Sequence, residues 1–387
     1  MLPSHLAHLP TPPPEALTVA ERLRHEITAE IEASGGWISF ARFMELALYA
    51  PGLGYYSAGS AKLGAAGDFV TAPELSKLFG RSLARQAAQV INQGIPTLIE
   101  VGAGSGALAA ELLTALEASG ALPQHYFILE LSADLRERQR ERIAADAPHL
   151  LPRVAWLAAL PERMEALLIA NELLDAVPAN LVRVHDGAIE EIGVVLAGDA
   201  FERSARPATG ALLEAAKSQT LPEDYETEIN LAARALVRSF ATSIVRGAMF
   251  FIDYGFPAAE YYHPQRSRGT LMCHYRHHAH DDPLALVGLQ DITAHVDFTA
   301  IADAGIDAGM RVLGYTAQAQ FLINCGITDL LAQTPPDDVR TYAPLAAQVQ
   351  KLLSPAEMGE LFKVMALARG IDGPLLGFVR GDRVHTL

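Results

Sequence analysis

Thr97-Leu98-Ile99-Glu100-Val101-Gly102-Ala103-Gly104-Ser105-Gly106-Ala107-Leu108 reads as a short apolar strand, a turn with glycine at three alternate positions, and the opening of a helix running to Glu117. Glycine serves where a backbone must take a positive φ or lie against a ligand. Such a turn leaves the first N–H groups of the helix facing that ligand. A nucleotide-like cofactor is therefore expected. Gly102, Gly104 and Ala107 also satisfy the relaxed dinucleotide pattern G-x-G-x-x-A, so a nicotinamide or flavin oxidoreductase stays open at this point.

Outward from this turn, strands and helices alternate, the pattern of a parallel sheet covered on both faces. Helix 105–118 leads to strand 126–131, helix 132–145, strand 154–157 and strand 167–170. The alternation then breaks. Runs 181–184 and 189–195, joined by Asp186-Gly187, predict an antiparallel hairpin, and the stretch at about 180–225 reads as an insertion. A helix at 228–245 and a uniformly apolar strand at 248–253 restore the pattern. A second insertion is expected at about 256–290, with an irregular stretch at 256–280. Helix 298–304, capped by Asp297 and ended by Gly305, precedes strand 311–315, helical stretches through 361 and a last strand at 364–367. On the N-terminal side, residues 1–17 are a flexible proline-rich start. Residues 18–95 form a helical segment interrupted by a long irregular loop, 51–74, of the kind that often borders a site. Residues 96–387 are expected to form the main domain.

Of the 387 residues 50% are hydrophobic, enough for a full core, and 45 acidic against 30 basic side chains give a net charge of −15. That balance disfavours non-specific binding to nucleic acid or an anionic membrane surface, and is compatible with a basic target. Cys273 and Cys325 have no C-x-x-C spacing, so neither a disulfide framework nor a zinc site is indicated. The start has no basic and apolar leader pattern, and no segment approaches the ~20 apolar residues of a membrane span. The expectation is a soluble, cytoplasmic protein. His274, His277, His278 and His280 lack the carboxylate-backed i, i+4 pattern of a catalytic zinc helix, and no metal is expected.

Chemistry-bearing residues gather at strand ends. Glu100 precedes the glycine turn, and the third glycine, Gly106, stands one place earlier than the dinucleotide pattern requires. Acidic-x-G-x-G-x-G at the end of a first strand resembles the signature of class I S-adenosylmethionine methyltransferases. Glu130, at the end of the second strand, can accept both hydroxyls of a ribose, the alternative being a surface glutamate. Ala170-Asn171-Glu172 follows the fourth strand, where an amide and a carboxylate can hold and deprotonate a nucleophile. A carboxylate suits an arginine acceptor in particular. Asp253 ends the fifth strand, to orient a substrate or merely close the strand. His295 is either a general base or a structural histidine.

Five ordered motifs together resemble the MidA family of class I methyltransferases, which includes the mitochondrial complex I assembly-factor arginine methyltransferase. They are Gly67-Asp68-Phe69-Val70-Thr71-Ala72-Pro73-Glu74, Glu100 to Gly106, Ala170-Asn171-Glu172, Ile252-Asp253-Tyr254-Gly255, and Gln290 to Phe298. Pro51-Gly52-Leu53-Gly54-Tyr55-Tyr56 and Glu357-Met358-Gly359 extend the likeness from about residue 20 to the C-terminus. The resemblance implies an α/β, Rossmann-like fold: a mostly parallel seven-stranded sheet with N-terminal helices and helical and hairpin insertions. It implies S-adenosyl-L-methionine as methyl donor, held by Glu100, Gly102, Gly104, Gly106 and Glu130, with Asp68 and Thr71 bordering the cleft. Asn171, Glu172, Asp253 and His295 are the candidate catalytic set. The implied partner is a protein substrate, a respiratory complex I subunit being one option. The oligomeric state is left open, a homodimer included. A non-catalytic, donor-binding assembly or chaperone protein is the alternative outside enzymology.

Overall fold

In the computed structural model, residues 6–57 and 70–387 are described, and the chain divides into two compact units. One takes residues 70–174, 235–257 and 296–387; the other takes the N-terminal segment with residues 175–234 and 258–295. The stretches read as insertions therefore fold with the N-terminal segment.

The first unit is built on a mostly parallel sheet. Its strands are β1 (Thr97–Val101), β2 (His125–Leu129), β3 (Val154–Leu157), β4 (Met164–Asn171), β5 (Ile244–Phe256), β6 (Arg311–Ala317) and β7 (Phe362–Arg369). Their order across the sheet is β6-β7-β5-β4-β1-β2-β3, and the two-residue strand Val296–Asp297 pairs with the end of β5. β1 runs parallel to β2 on one side and β4 on the other, and all five of its residues are buried. A strand hydrogen-bonded on both edges and covered on both faces has no place for a solvated side chain, which is why it reads as an apolar run. β7 enters antiparallel between β5 and β6. Val101 pairs with Ala170 of β4, so the glycine turn and Asn171-Glu172 leave adjacent strands at the same edge of the sheet. That edge, at the carboxyl ends of the strands, is where open α/β sheets bind ligands.

The second unit contains a five-stranded sheet. Asn180–His185 and Ala188–Ala197 form the expected hairpin, turning at Asp186 and Gly187 with φ of 51° and 71°. Three strands were not anticipated there: Ile38–Ser39, Ala200–Pro207 and Tyr225–Ile229. Helix Phe40–Tyr49, capped by Ser39, buries Phe40, Phe43, Met44, Ala47 and Leu48 in the core of this unit.

Four expectations need correction. The helix expected at 228–245 is strand Tyr225–Ile229 followed by helix Leu231–Ser243. Pairing with Asn180–His185 overrides the helical spacing, and Asn230 starts the helix by accepting from the Ala233 N–H at 2.8 Å. Asp253 does not end its strand, since β5 continues to Phe256 through its pairing with β7 and Val296–Asp297. Helix Phe298–Asp307 does not stop at Gly305, which stays helical where it lies against Leu367 of β7. Finally, part of 256–280 is regular: Met272–Tyr275 and His278–His280 form a hairpin to which Asp291–Thr293 adds a third strand.

Candidate active site

The turn after β1 has the required conformation: Gly102, Gly104 and Gly106 take φ of 67°, 53° and 83°. Helix Ala107–Ala118 begins directly behind it with no side-chain cap. Gly106 is bound to be glycine for a second reason. A Cβ there would meet the Gln139 Cα at 3.0 Å, because helix Ala133–Asp146 lies against the turn.

Glu130 follows β2 and is 8% exposed. Its Oε1 accepts from the Ser132 N–H at 2.9 Å and its Oε2 from the Gln139 amide at 3.1 Å. Burial pushes its pKa up, while the Ser132 and Gln139 hydrogen bonds pull it down. Arg136 braces the same segment, donating to the carbonyls of Glu130 at 2.7 Å and Leu157 at 3.3 Å. The next residue, Leu131, is 79% exposed, a large apolar side chain beside the carboxylate.

Glu100 is placed differently. Its carboxylate is buried in the core, where it accepts from the Tyr126 hydroxyl at 2.6 Å. Burial raises its pKa to about 7 against the lowering effect of that hydrogen bond.

At the end of β4, Glu172 takes φ of 50°, a conformation uncommon for a residue with a side chain. Its Oε1 accepts from the Asn171 side-chain amide at 3.1 Å and from the Ala72 N–H at 3.4 Å. The Asn171 Oδ1 is buried and has no hydrogen-bond partner among the described residues. Asp253, 1% exposed, accepts from the N–H groups of Leu173 at 3.1 Å, Leu174 at 2.9 Å and Tyr254 at 3.0 Å. Its carboxylate shapes the turn that follows Glu172.

Thr71 precedes the short helix Ala72–Leu75, and this segment ties the site together. Ala72 donates to Glu172, while Glu74 accepts from the hydroxyl of Ser105 in the glycine turn. Asp68 lies outside the described residues.

The unit holding the sheet thus contains Thr71, Glu100, the three glycines, Glu130, Asn171, Glu172 and Asp253. His295 belongs to the other unit, where its N–H donates to the Thr270 hydroxyl at 3.0 Å. There the Tyr56 ring stacks on Tyr49 and meets the buried Tyr55 edge-on, and the Tyr56 hydroxyl donates to Asp291 at 2.9 Å. Burial, together with the charge of Asp291, raises the Tyr56 pKa well above the usual tyrosine value. Among the described residues one exposed trio, His185, Glu223 and Asp224, has ligand atoms within 4.8 Å of one another; the histidines at 274–280 form no such group.

Sequence reasoning missed Glu74, Gln139 and Leu131. Gln139 had a signal: it is the uncharged residue in Arg136-Glu137-Arg138-Gln139-Arg140-Glu141-Arg142, and with Ile143 it makes the buried stripe of an otherwise charged helix.

Residues 79–316 match a family described as S-adenosyl-L-methionine-dependent methyltransferases. The chain belongs to that family. A candidate methyl transferase from Burkholderia thailandensis, crystallised with S-adenosyl-homocysteine bound, is 54% identical to this methyltransferase. The alignment covers 98% of this chain and 100% of that one, with a TM-score of 0.95. The protein arginine methyltransferase NDUFAF7 of Danio rerio, a mitochondrial protein, is 27% identical over 380 residues, 89% of this chain and 86% of its own length. The Drosophila melanogaster homolog of that protein is 27% identical over 416 residues, 95% and 92% of the two chains. The methyltransferase uses S-adenosyl-L-methionine, and its fold is the mixed α/β arrangement of a large, mostly parallel sheet. No helix among the described residues is long and apolar enough to cross a membrane.

Proposed function

We propose that the enzyme methylates a guanidinium nitrogen of an arginine in a protein, and that the acceptor meets the donor at the carboxyl ends of β1 and β4. The observation that carries this reading is the buried Asn171 Oδ1 without a partner, adjacent to the Glu172 carboxylate. An acceptor oxygen beside a carboxylate is what a donor-rich, cationic guanidinium matches. The relatives named as protein arginine methyltransferases point the same way.

The residues present fit the donor. Three glycines at positive φ permit close approach, Glu130 offers acceptors for ribose hydroxyls, and Leu131 offers an apolar face for adenine. When bound, S-adenosyl-L-methionine supplies an electrophilic methyl group on a sulfonium. The chain's own part is alignment and proton handling. Asn171 accepts an N–H of the guanidine and aims its nitrogen lone pair. Glu172 holds the cation and receives the proton released as the N–C bond forms and the S–C bond breaks. Asp253 fixes the turn that carries Glu172. Thr71 borders the cleft, Glu100 supports β1, and His295 has a supporting role in the second unit.

We place the enzyme in a reducing, cytoplasmic compartment, with a basic protein segment as target and a respiratory complex I subunit as the first candidate. Quantitative mass spectrometry of methylated arginine peptides, in cells with and without the gene, tests this. The reading expects one or a few arginine sites to lose methylation with the gene; an unchanged arginine methylome together with loss of methylation on another residue type contradicts it.

A further inference from the structure

We infer that Gln139 is a positioning residue of the donor site, tying the glycine turn to the Glu130 carboxylate and so fixing how that carboxylate meets a ribose. This rests on the donor-site reading above. Gln139 is fully buried. Its Nε2 donates to the Gly104 carbonyl at 3.0 Å and to Glu130 Oε2 at 3.1 Å, and its Oε1 accepts from the Trp156 indole at 2.8 Å.

Only one orientation of the amide satisfies all three bonds. An indole N–H can only donate, whereas a carbonyl and a carboxylate accept, so a flipped amide would set donor against donor and acceptor against acceptor. Trp156 therefore locks the amide, and the amide locks two parts of the site that are 26 residues apart in sequence, Gly104 and Glu130. The main chain makes the same connection, since the Gln139 Cα lies where a Cβ on Gly106 would come within 3.0 Å. Ser132 N–H donates to Glu130 Oε1 and Gln139 Nε2–H to Oε2, with the Leu131 N–H a further backbone donor, so the carboxylate is aimed from both oxygens and keeps acceptor capacity for a ribose hydroxyl. The same amide N–H opposes the upward push of burial on Glu130 and favours the ionised, acceptor-only form.

Calorimetric titration of the full-length wild type, Gln139→Leu and Trp156→Phe with S-adenosylhomocysteine and with its 2′,3′-dideoxyribose analogue tests the inference. The wild type is expected to prefer the natural ribose by about 10- to 100-fold, the worth of one or two hydrogen bonds to a charged group. In Gln139→Leu the preference is expected to fall below about threefold, with the analogue bound within about threefold of its wild-type affinity. Trp156→Phe, which releases the amide to flip, is expected to give an intermediate preference. A Gln139→Leu protein that weakens both ligands equally, or keeps the full preference, overturns the inference, because a merely structural amide would not act through the ribose. Should Gln139→Leu fail to fold, Trp156→Phe decides by the same two readings: a reduced preference supports the inference, and equal weakening or an unchanged preference overturns it. A wild type that binds neither ligand, or both equally, overturns the donor-site reading before any substitution is made, and the inference with it.

Discussion

The carboxylate of Glu74 accepts the hydroxyl of Ser105, joining the segment that begins at Thr71 to the glycine turn 31 residues later. Ala72, two residues before Glu74, donates to Glu172 at 3.4 Å, so one short segment touches both the turn after β1 and the strand end of β4. Glu74→Ala is expected to weaken S-adenosylhomocysteine binding by about 3- to 10-fold, toward the low end for a bond to a charged group because the pair is partly exposed. Glu74→Gln, which retains an acceptor, should lose less. Calorimetry on the two variants checks the order; equal affinity of Glu74→Ala and wild type would separate this segment from the donor site.

Glu100 gives the protein a pH signature. Its folded pKa of about 7 lies above the ordinary carboxylate range, so between the two values the folded protein holds a proton that the unfolded chain has released. Stability therefore falls as pH climbs from the ordinary carboxylate range through about 7 and levels off above it. The total is on the order of 3 kcal/mol. Glu100→Gln keeps an acceptor for Tyr126 without the titration, and its denaturation midpoint should change less across that window. A wild type and a variant with parallel pH profiles from pH 5 to 9 would show that Glu100 does not titrate there.

Asp253 distinguishes scaffold from chemistry. With its carboxylate accepting three backbone N–H groups, Asp253→Asn can keep one carbonyl acceptor for the turn and should retain measurable methyl transfer. Asp253→Ala leaves buried N–H groups without partners and should destabilise the protein by about 2–3 kcal/mol. Chemical denaturation and turnover measured side by side resolve the two. An Asp253→Asn enzyme that is fully folded and wholly inactive would mean that the carboxylate itself takes part in the reaction.

In the second unit, Glu228 is 2% exposed and accepts from the Thr270 N–H and hydroxyl, the Leu271 N–H and the Tyr261 hydroxyl. It anchors residues 261–271 to strand Tyr225–Ile229. Glu228→Ala should cost about 3 kcal/mol or more, because four donors lose a charged acceptor at once. Urea denaturation measures the loss. A change under about 1 kcal/mol, the worth of a single ordinary hydrogen bond, would show that water replaces the carboxylate freely.

How much was legible in the sequence follows from which forces were local. β1 and β4 read as apolar runs because both faces of a central strand are covered, and the glycine turn declared itself by residue type. Asp297 was a readable helix cap for the same local reason, accepting from the Ala300 N–H three residues on. The strand Tyr225–Ile229 was not readable, because its partner lies some 45 residues earlier and its helical spacing is overridden by that pairing. The hairpin 272–280 turns at Arg276 and His277 with φ of 48° and 64°, so no glycine or asparagine marked it. In the site, the residue types proposed to meet a ligand directly, Glu130 and Asn171-Glu172, stood out at strand ends. Gln139 and Glu74 are proposed to act through other residues, and only the folded chain shows what they touch.

The most direct test of the account is calorimetric titration of S-adenosylhomocysteine into the wild type and Glu130→Ala, both checked for folding by thermal melting. The account predicts one binding site per chain in the wild type and an affinity lower by about 10- to 100-fold in Glu130→Ala, the loss of one or two hydrogen bonds to a charged acceptor. A folded Glu130→Ala protein that binds as tightly as the wild type would contradict it.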